Sequence, residues 1–143
     1  MKPIVCATRG GQASRRTQER AIALAKERGA KLIFICVVDP TFTGPMDEEL
    51  EDALTDELKR LGGSLLYIAQ ARAEKEGVPA ETVVQCGSVW DDIPAFLEEV
   101  EAEELIIGVP QEDAPVEVFG EESVPGFVEK LREETDVEIV IVT

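Results

Sequence analysis

The chain has 143 residues, of which 44% are apolar and only 5% aromatic, and a net charge of −16. This length is typical of one domain, here residues 1–143. Because apolar residues are common and aromatic ones rare, the core must be mainly aliphatic. The charge excludes nucleic acid and anionic membranes as general partners, and the lack of histidine excludes imidazole catalysis. With no apolar run long enough for a membrane span and no signal-peptide pattern, the sequence predicts a cytoplasmic protein.

Five apolar runs recur in chain order, and they predict strands at residues 3–7, 31–38, 82–86, 104–109 and 137–142. Three of them are almost continuously apolar and β-branched, which is typical of strands covered on both faces. The three cysteines, Cys6, Cys36 and Cys86, all fall within these runs. We therefore expect three buried thiols and neither a disulfide framework nor a metal site.

Helical patterns fill the intervals between the strands. The first runs from about Ala13 to Arg28 and ends at Gly29. The second, about Met46 to Glu76, carries an apolar series whose spacing averages 3.6 residues, and its length predicts a frayed start or a bend near Gly62. That series is Leu50, Leu54, Leu58, Leu61, Leu65 and Ile68.

The third helix begins after either of two caps. Ser88 would leave Pro94 inside the helix, whereas Asp92 would leave it harmlessly in the first turn. The fourth helix has Ser123 as its predicted N-cap. Strands and helices alternate throughout, which predicts an α/β fold: an open parallel five-stranded, Rossmann-like sheet of order 3-2-1-4-5 with helices on both faces.

In such a sheet, ligands bind at the carboxyl edge between strands 1 and 4. The turn Arg9-Gly10-Gly11 lies there, before a helix that carries Arg15 and Arg16. Residues 1–31 have a net charge of +6 and the rest of the chain −22. Free N–H groups and arginines favour an anion at this turn; the alternative is a tight turn beside solvated arginines.

No serine lies in a nucleophile-elbow motif, and no set of residues predicts catalysis, so we expect a protein that is not an enzyme. Four segments are distinctive: "IVCATRGGQASRRTQERAIALAKERGAKLIFICVVDP" at 4–40, "GVPAETVVQCGS" at 77–88, "AEELIIGVP" at 102–110 and the closing "DVEIVIVT". In their order and spacing they resemble the universal stress protein family. This resemblance implies the same fold along nearly the whole chain.

The family includes members that bind ATP through a G-x-x-G-x9-G-[ST] motif after the fourth strand. Here that segment is "GVPQEDAPVEVFGEES", which lacks the second motif glycine, is several residues short, and has Glu122 before Ser123. Arg9 also departs from the aspartate usual at its position. The resemblance therefore implies no ATP and no other cofactor, although some positions match the nucleotide pocket: Thr8, Val37, Ile107, Gly108, Ser123 and Val124.

Together these observations predict a binding or regulatory module in stress physiology. We expect a homodimer through the apolar edge strand Val137 to Val142, both from that edge and from the resemblance. The alternative is a nucleotide- or phosphate-binding switch, or a weak phosphohydrolase, at the Arg9-Gly10-Gly11 turn. The candidate residues for a small anion or other ligand are Thr8, Arg9, Gly10, Gly11, Arg16, Val37, Ile107, Gly108, Ser123 and Val124.

Overall fold

The computed structural model describes residues 2–8, 11–40, 44–108 and 124–142, without the side chains of 11–13, 89, 90, 124 and 125. Within these ranges strands and helices alternate along the chain, as the sequence predicts. The elements are β1 (Ile4–Ala7), α1 (Gly11–Arg28), β2 (Leu32–Val38), α2 (Glu48–Lys75), β3 (Ala80–Cys86), α3 (Val89–Glu99), β4 (Glu104–Gly108), α4 (Val124–Glu134) and β5 (Glu138–Val142).

The strands form one parallel sheet in the order β3-β2-β1-β4-β5, which confirms the predicted topology. Ile4 is in register with Leu32 on one side and with Glu104 on the other, so the inner strands begin at one level. All their carboxyl ends therefore meet at the opposite edge. This is the edge at which a parallel sheet binds ligands.

Helices cover both faces of the sheet, and two separate cores result. On one face, α1 and α2 pack against alternate strand residues that include Ile4, Cys6 and Phe34. On the other face, α3 and α4 pack against the intervening residues, among them Val5 and Ile35. The inner strands are consequently apolar at nearly every position, which is the continuous pattern seen in the sequence.

One of the three buried thiols expected from the sequence is not buried. Cys6 and Cys36 lie in the core, but Cys86 is exposed. The reason is that β3 is an edge strand, with only partial cover along its whole length. An apolar run indicates a strand, but the strand's place in the sheet decides its burial.

The helix α2 runs through Gly62 and Gly63 as one helix, and its start is capped instead of frayed. It starts at Glu48, where the Asp47 side chain accepts a hydrogen bond from the Leu50 N–H at 2.8 Å. Gly62 is buried, and a Cβ on it would touch the side chains of Cys36, Val38 and Val84. The glycine brings the helix close to the sheet.

The leucine series of α2 is not its main packing face. The buried residues of α2 are Gly62, Leu66, Ala69 and Ala73, all lying against β2 and β3. Leu50, Leu61 and Ile68 are exposed, and of the series Leu58 packs against the core. Apart from Leu66, the residues of this face are small, which lets the helix pack closely against the sheet.

The start of α3 follows the first of the two alternatives. Ser88 occupies the N-cap position, without a side-chain capping bond, and Pro94 lies inside the helix. Asp92 instead packs its carboxylate over Gly87, where an added Cβ would be 1.8 Å from Oδ2. The predicted cap Ser123 of α4 lies outside the described residues.

Candidate functional site

The candidate site is the carboxyl edge at the junction of β1 and β4, where the strand order reverses. Thr8 follows β1 directly, and Gly108 ends β4. The adjacent helix α1 starts at Gly11, so its first N–H groups face this edge. Because the strands are parallel, residues a hundred positions apart in sequence meet here.

A buried polar chain begins at Thr8. Its backbone N–H donates to the Ile35 carbonyl at 3.0 Å, and its hydroxyl accepts a hydrogen bond from Gln18 Nε2 at 3.0 Å. Gln18 is only 1% exposed, and its Oε1 accepts a hydrogen bond from Arg72 at 2.7 Å. These contacts tie the end of β1 to both α1 and α2, with the amide satisfied at each end.

The contact between Gly108 and α1 is equally close. A Cβ at Gly108 would lie 2.4 Å from the hydroxyl oxygen of Thr17, which is itself buried. Any larger residue would force Thr17 or the helix to shift. The glycine at this position therefore permits close packing of α1 on β4.

The start of α1 is electrostatically different from the starts of α2 and α3. Its first turn has no acidic residue, whereas α2 begins with three glutamates and α3 has two aspartates. Arg15 and Arg16 follow one turn later, both exposed, and Arg15 forms a 3.0 Å ion pair with Glu19. The helix dipole and these arginines add positive potential on the same side.

The structure brings only some of the predicted site residues together. Thr8 and Gly108 flank the junction, and Gly11 and Val124 are the first residues of α1 and α4. Ile107 is buried in the core under α3 and α4, with Val37 packed at its border. The Ile107 side chain therefore packs in the core. Arg9, Gly10 and Ser123 lie outside the described residues.

Sequence reasoning missed Thr17, Gln18 and Arg72. Gln18 stands three and four residues before the buried Ala21 and Ile22, so helix periodicity already placed it on the inner face of α1. A glutamine at such a position needs partners, which was an available signal. Arg72 stands 54 residues after Gln18, and no pattern in the sequence indicated that the two side chains meet.

The two ends of the sheet differ in chemistry. At the amino edge, buried Glu104 pairs with Arg28, and this hydrogen bond raises the pKa of the guanidinium. A groove of about 520 Å³ also opens at that edge, with Lys2 and five carboxylates among its lining residues. The carboxylates are Glu98, Glu101, Glu103, Glu134 and Asp136. Its acidic lining disfavours anions there.

Among residues 2–8, 11–40, 44–108 and 124–142, no three acidic or cysteine side chains are grouped as metal ligands would be. None of the helices in those ranges combines the length and apolarity needed to cross a bilayer.

Comparison with known proteins gives one family and a consistent set of structures. The sequence model of the universal stress protein family matches residues 1–142. No curated protein sequence matches the chain. Among solved structures, the universal stress protein UspA from Lactobacillus plantarum is similar with a TM-score of 0.76 at 14% identity, covering 99% of this chain and 97% of that one.

Two structures of a universal stress protein from Archaeoglobus fulgidus are similar at 20% identity each. One has a TM-score of 0.71 and covers 100% of this chain and 99% of that chain. The other, in complex with dAMP, has a TM-score of 0.66 and covers 100% and 98%. At these identities the likeness shows the shared fold.

Proposed function

Because this chain belongs to the universal stress protein family, we propose that it is a binding or regulatory module of the stress response, in the cytoplasm, that does not use ATP. The observation that carries this proposal is the state of the polar side chains at the β1–β4 junction. Thr8, Thr17 and Gln18 are each at least nine-tenths buried; Gln18 donates a hydrogen bond to Thr8, and Thr17 lies against Gly108. They hold α1 in place instead of facing a ligand.

Charge supports the same proposal. Residues 109–123 follow β4 in the sequence and contain five carboxylates and no basic residue. A triphosphate carries about four negative charges, so acidic side chains near it raise the free energy of binding. The acidic residues are Glu112, Asp113, Glu117, Glu121 and Glu122.

Calorimetry with ATP and Mg²⁺ at low salt tests the proposal. We expect no heat beyond dilution, and a Kd below about 10 μM, which corresponds to roughly −7 kcal/mol, would overturn it. The matched variant replaces the five acids by their amides. If charge is the cause, this variant binds ATP more tightly than the wild type; equal lack of binding would refute the charge explanation.

A second candidate function is a nucleotide- or phosphate-binding switch, or a weak phosphohydrolase, at the Arg9-Gly10-Gly11 turn. Two observations favour it: the acid-free first turn of α1, and the structure of a similar family member in complex with dAMP. Native mass spectrometry of the purified protein distinguishes the two functions, because only the switch retains a nucleotide or phosphate.

Thermal melts test the anion site directly. A ligand of the native state raises Tm by mass action, so sulfate should raise it more than chloride at equal ionic strength. Replacing Arg9 and Arg16 by alanine should remove the sulfate increment. Lys26→Ala, at the other end of α1, removes one positive charge away from the turn and should leave the increment unchanged. An increment that survives in the double variant contradicts this site.

We also propose a homodimer through Val137 to Val142. β5 is an edge strand with Ile141 exposed and Val140 and Val142 half-buried, and an apolar edge is prone to pair with a second copy. Light scattering checks this assembly: Ile141→Lys should lower the mass, and an unchanged mass would exclude the β5 interface.

A further inference from the structure

The helix α2 carries a second apolar stripe that the protein core does not use. Leu50 and Leu61 are each 56% exposed and Ile68 is 49% exposed. Residues 7 and 11 positions apart in an α-helix point within about 20° of each other, so these three share one face. Leu54 and Leu65 lie beside them, half-buried. We call these five residues the α2 stripe.

The stripe extends past the neighbouring helix because α2 is longer than α1. The two helices run in the same direction, and Lys26 Nζ lies 3.5 Å from Glu76 Oε2 where both of them end. With 28 residues against 18, α2 extends about 15 Å beyond the start of α1. Leu50 and Leu54 stand on this extension, so α1 does not cover them.

The charges on α2 are divided between its two halves. Residues 47–58 contain seven acidic residues and no basic one, whereas residues 59–75 contain four basic residues and one acidic one. A helix with this division repels a parallel copy of itself and attracts an antiparallel one. The division therefore specifies both the partner and its orientation.

We propose that the α2 stripe is a docking surface for a second copy of this chain, with the two α2 helices packed antiparallel about a two-fold axis at Leu61. In that arrangement Leu61 faces its symmetry mate, Leu54 faces Ile68, and Asp47 faces Lys75. Every contact then recurs with its partners exchanged, as a closed two-fold interface requires. This surface is separate from β5, so its presence or absence is independent of the dimer proposed above.

Cysteine crosslinking tests the axis. In a Cys86→Ser background, which removes the exposed native thiol, Leu61→Cys should form a disulfide-linked dimer under mild oxidation. Tyr67→Cys is the matched control, because Tyr67 is on the same helix and 70% exposed but about 120° from Leu61. Crosslinking of Tyr67→Cys as fast as Leu61→Cys, or none at Leu61, would overturn the proposal.

A mixture tests the orientation. Leu54→Cys and Ile68→Cys, in the same background, should each crosslink poorly alone, while an equal mixture gives mainly the mixed disulfide. Preferential self-crosslinking of each variant would mean a parallel pair and would refute the antiparallel interface.

Sedimentation velocity gives a measurement that needs no crosslink. Leu61→Glu places two carboxylates at the axis and should lower the mass of the assembly, whereas Tyr67→Glu should leave it unchanged. Both variants should fold, because each changes an exposed position, and circular dichroism checks this. An unchanged mass in folded Leu61→Glu contradicts the proposal, and retention of the Leu61→Cys crosslink in Ile141→Lys separates this interface from β5.

Discussion

The three thiols differ in their access to solvent, and reagent titration measures this difference. Burial raises the pKa of the Cys6 thiol far above its usual range, so Cys6 stays protonated and unreactive in the native state. Cys36 is also buried, and Cys86 is exposed. We predict one reactive thiol in the folded protein and three after denaturation. Cys86→Ser should show none in the folded state, and two or more native thiols in the wild type would contradict the burial.

Gln18 is the residue on which the polar chain at the carboxyl edge depends. Replacing Gln18 by leucine keeps most of its volume but leaves Thr8 without its amide donor and Arg72 without its acceptor. We predict a loss of about 1–3 kcal/mol in the free energy of unfolding, measured with urea. Arg15→Ala removes the exposed Arg15–Glu19 ion pair and should change it by less than about 1 kcal/mol. Equal losses in the two variants would mean that the hydrogen bonds from Thr8 through Gln18 to Arg72 add no more stability than the exposed ion pair.

At the scale of elements, three helices end in the same way. The N–H of Ala30 reaches the Ala25 carbonyl after α1, Val78 reaches Ala73 after α2, and Ala102 reaches Leu97 after α3, at 2.9–3.0 Å. This pattern requires a left-handed residue just before the donor. The first two helices use Gly29 and Gly77, but α3 uses a glutamate.

That glutamate gives a stability prediction. Glu101 has φ of 54°, a conformation that costs a residue with a Cβ about 1–2 kcal/mol. Glu101→Gly should therefore raise the free energy of unfolding by about 1 kcal/mol, and Gly29→Ala should lower it by a similar amount. Urea midpoints of both variants check this. A lower midpoint for Glu101→Gly would mean that the glutamate side chain contributes more than the strain costs.

For the whole molecule, charge is the dominant property. With a net charge of −16, the folded chain repels itself, and salt screens this repulsion. We predict that Tm rises between low salt and about 0.5 M NaCl. Glu99 lies in the last turn of α3, where an acid opposes the helix dipole. Glu99→Lys should have a higher Tm than the wild type at low salt, and its Tm should rise less when salt is added. A fall in Tm with salt would show that ion pairs outweigh repulsion.

Much of the candidate site was predictable because it lies where strands end. The family resemblance implied Thr8 and Gly108, and both stand where strands end, at the edge where parallel strands present their carboxyl ends together. Thr17 and Gln18 were accessible from the periodicity of α1. Arg72 was not, because no local pattern relates residues that only packing brings together.

The sequence by itself determined the kind, number and order of the elements and, through right-handed crossovers, the strand order of the sheet. These follow from hydrophobic period and chain connection, which are local. Only the tertiary structure decided that Cys86 is exposed and that α2 turns Gly62, Leu66, Ala69 and Ala73 to the sheet, while Leu50 and Leu61 are exposed. Both depend on how the elements pack in three dimensions: an edge strand has a neighbour on one side only, and the face of a helix that meets the sheet must fit the space between them.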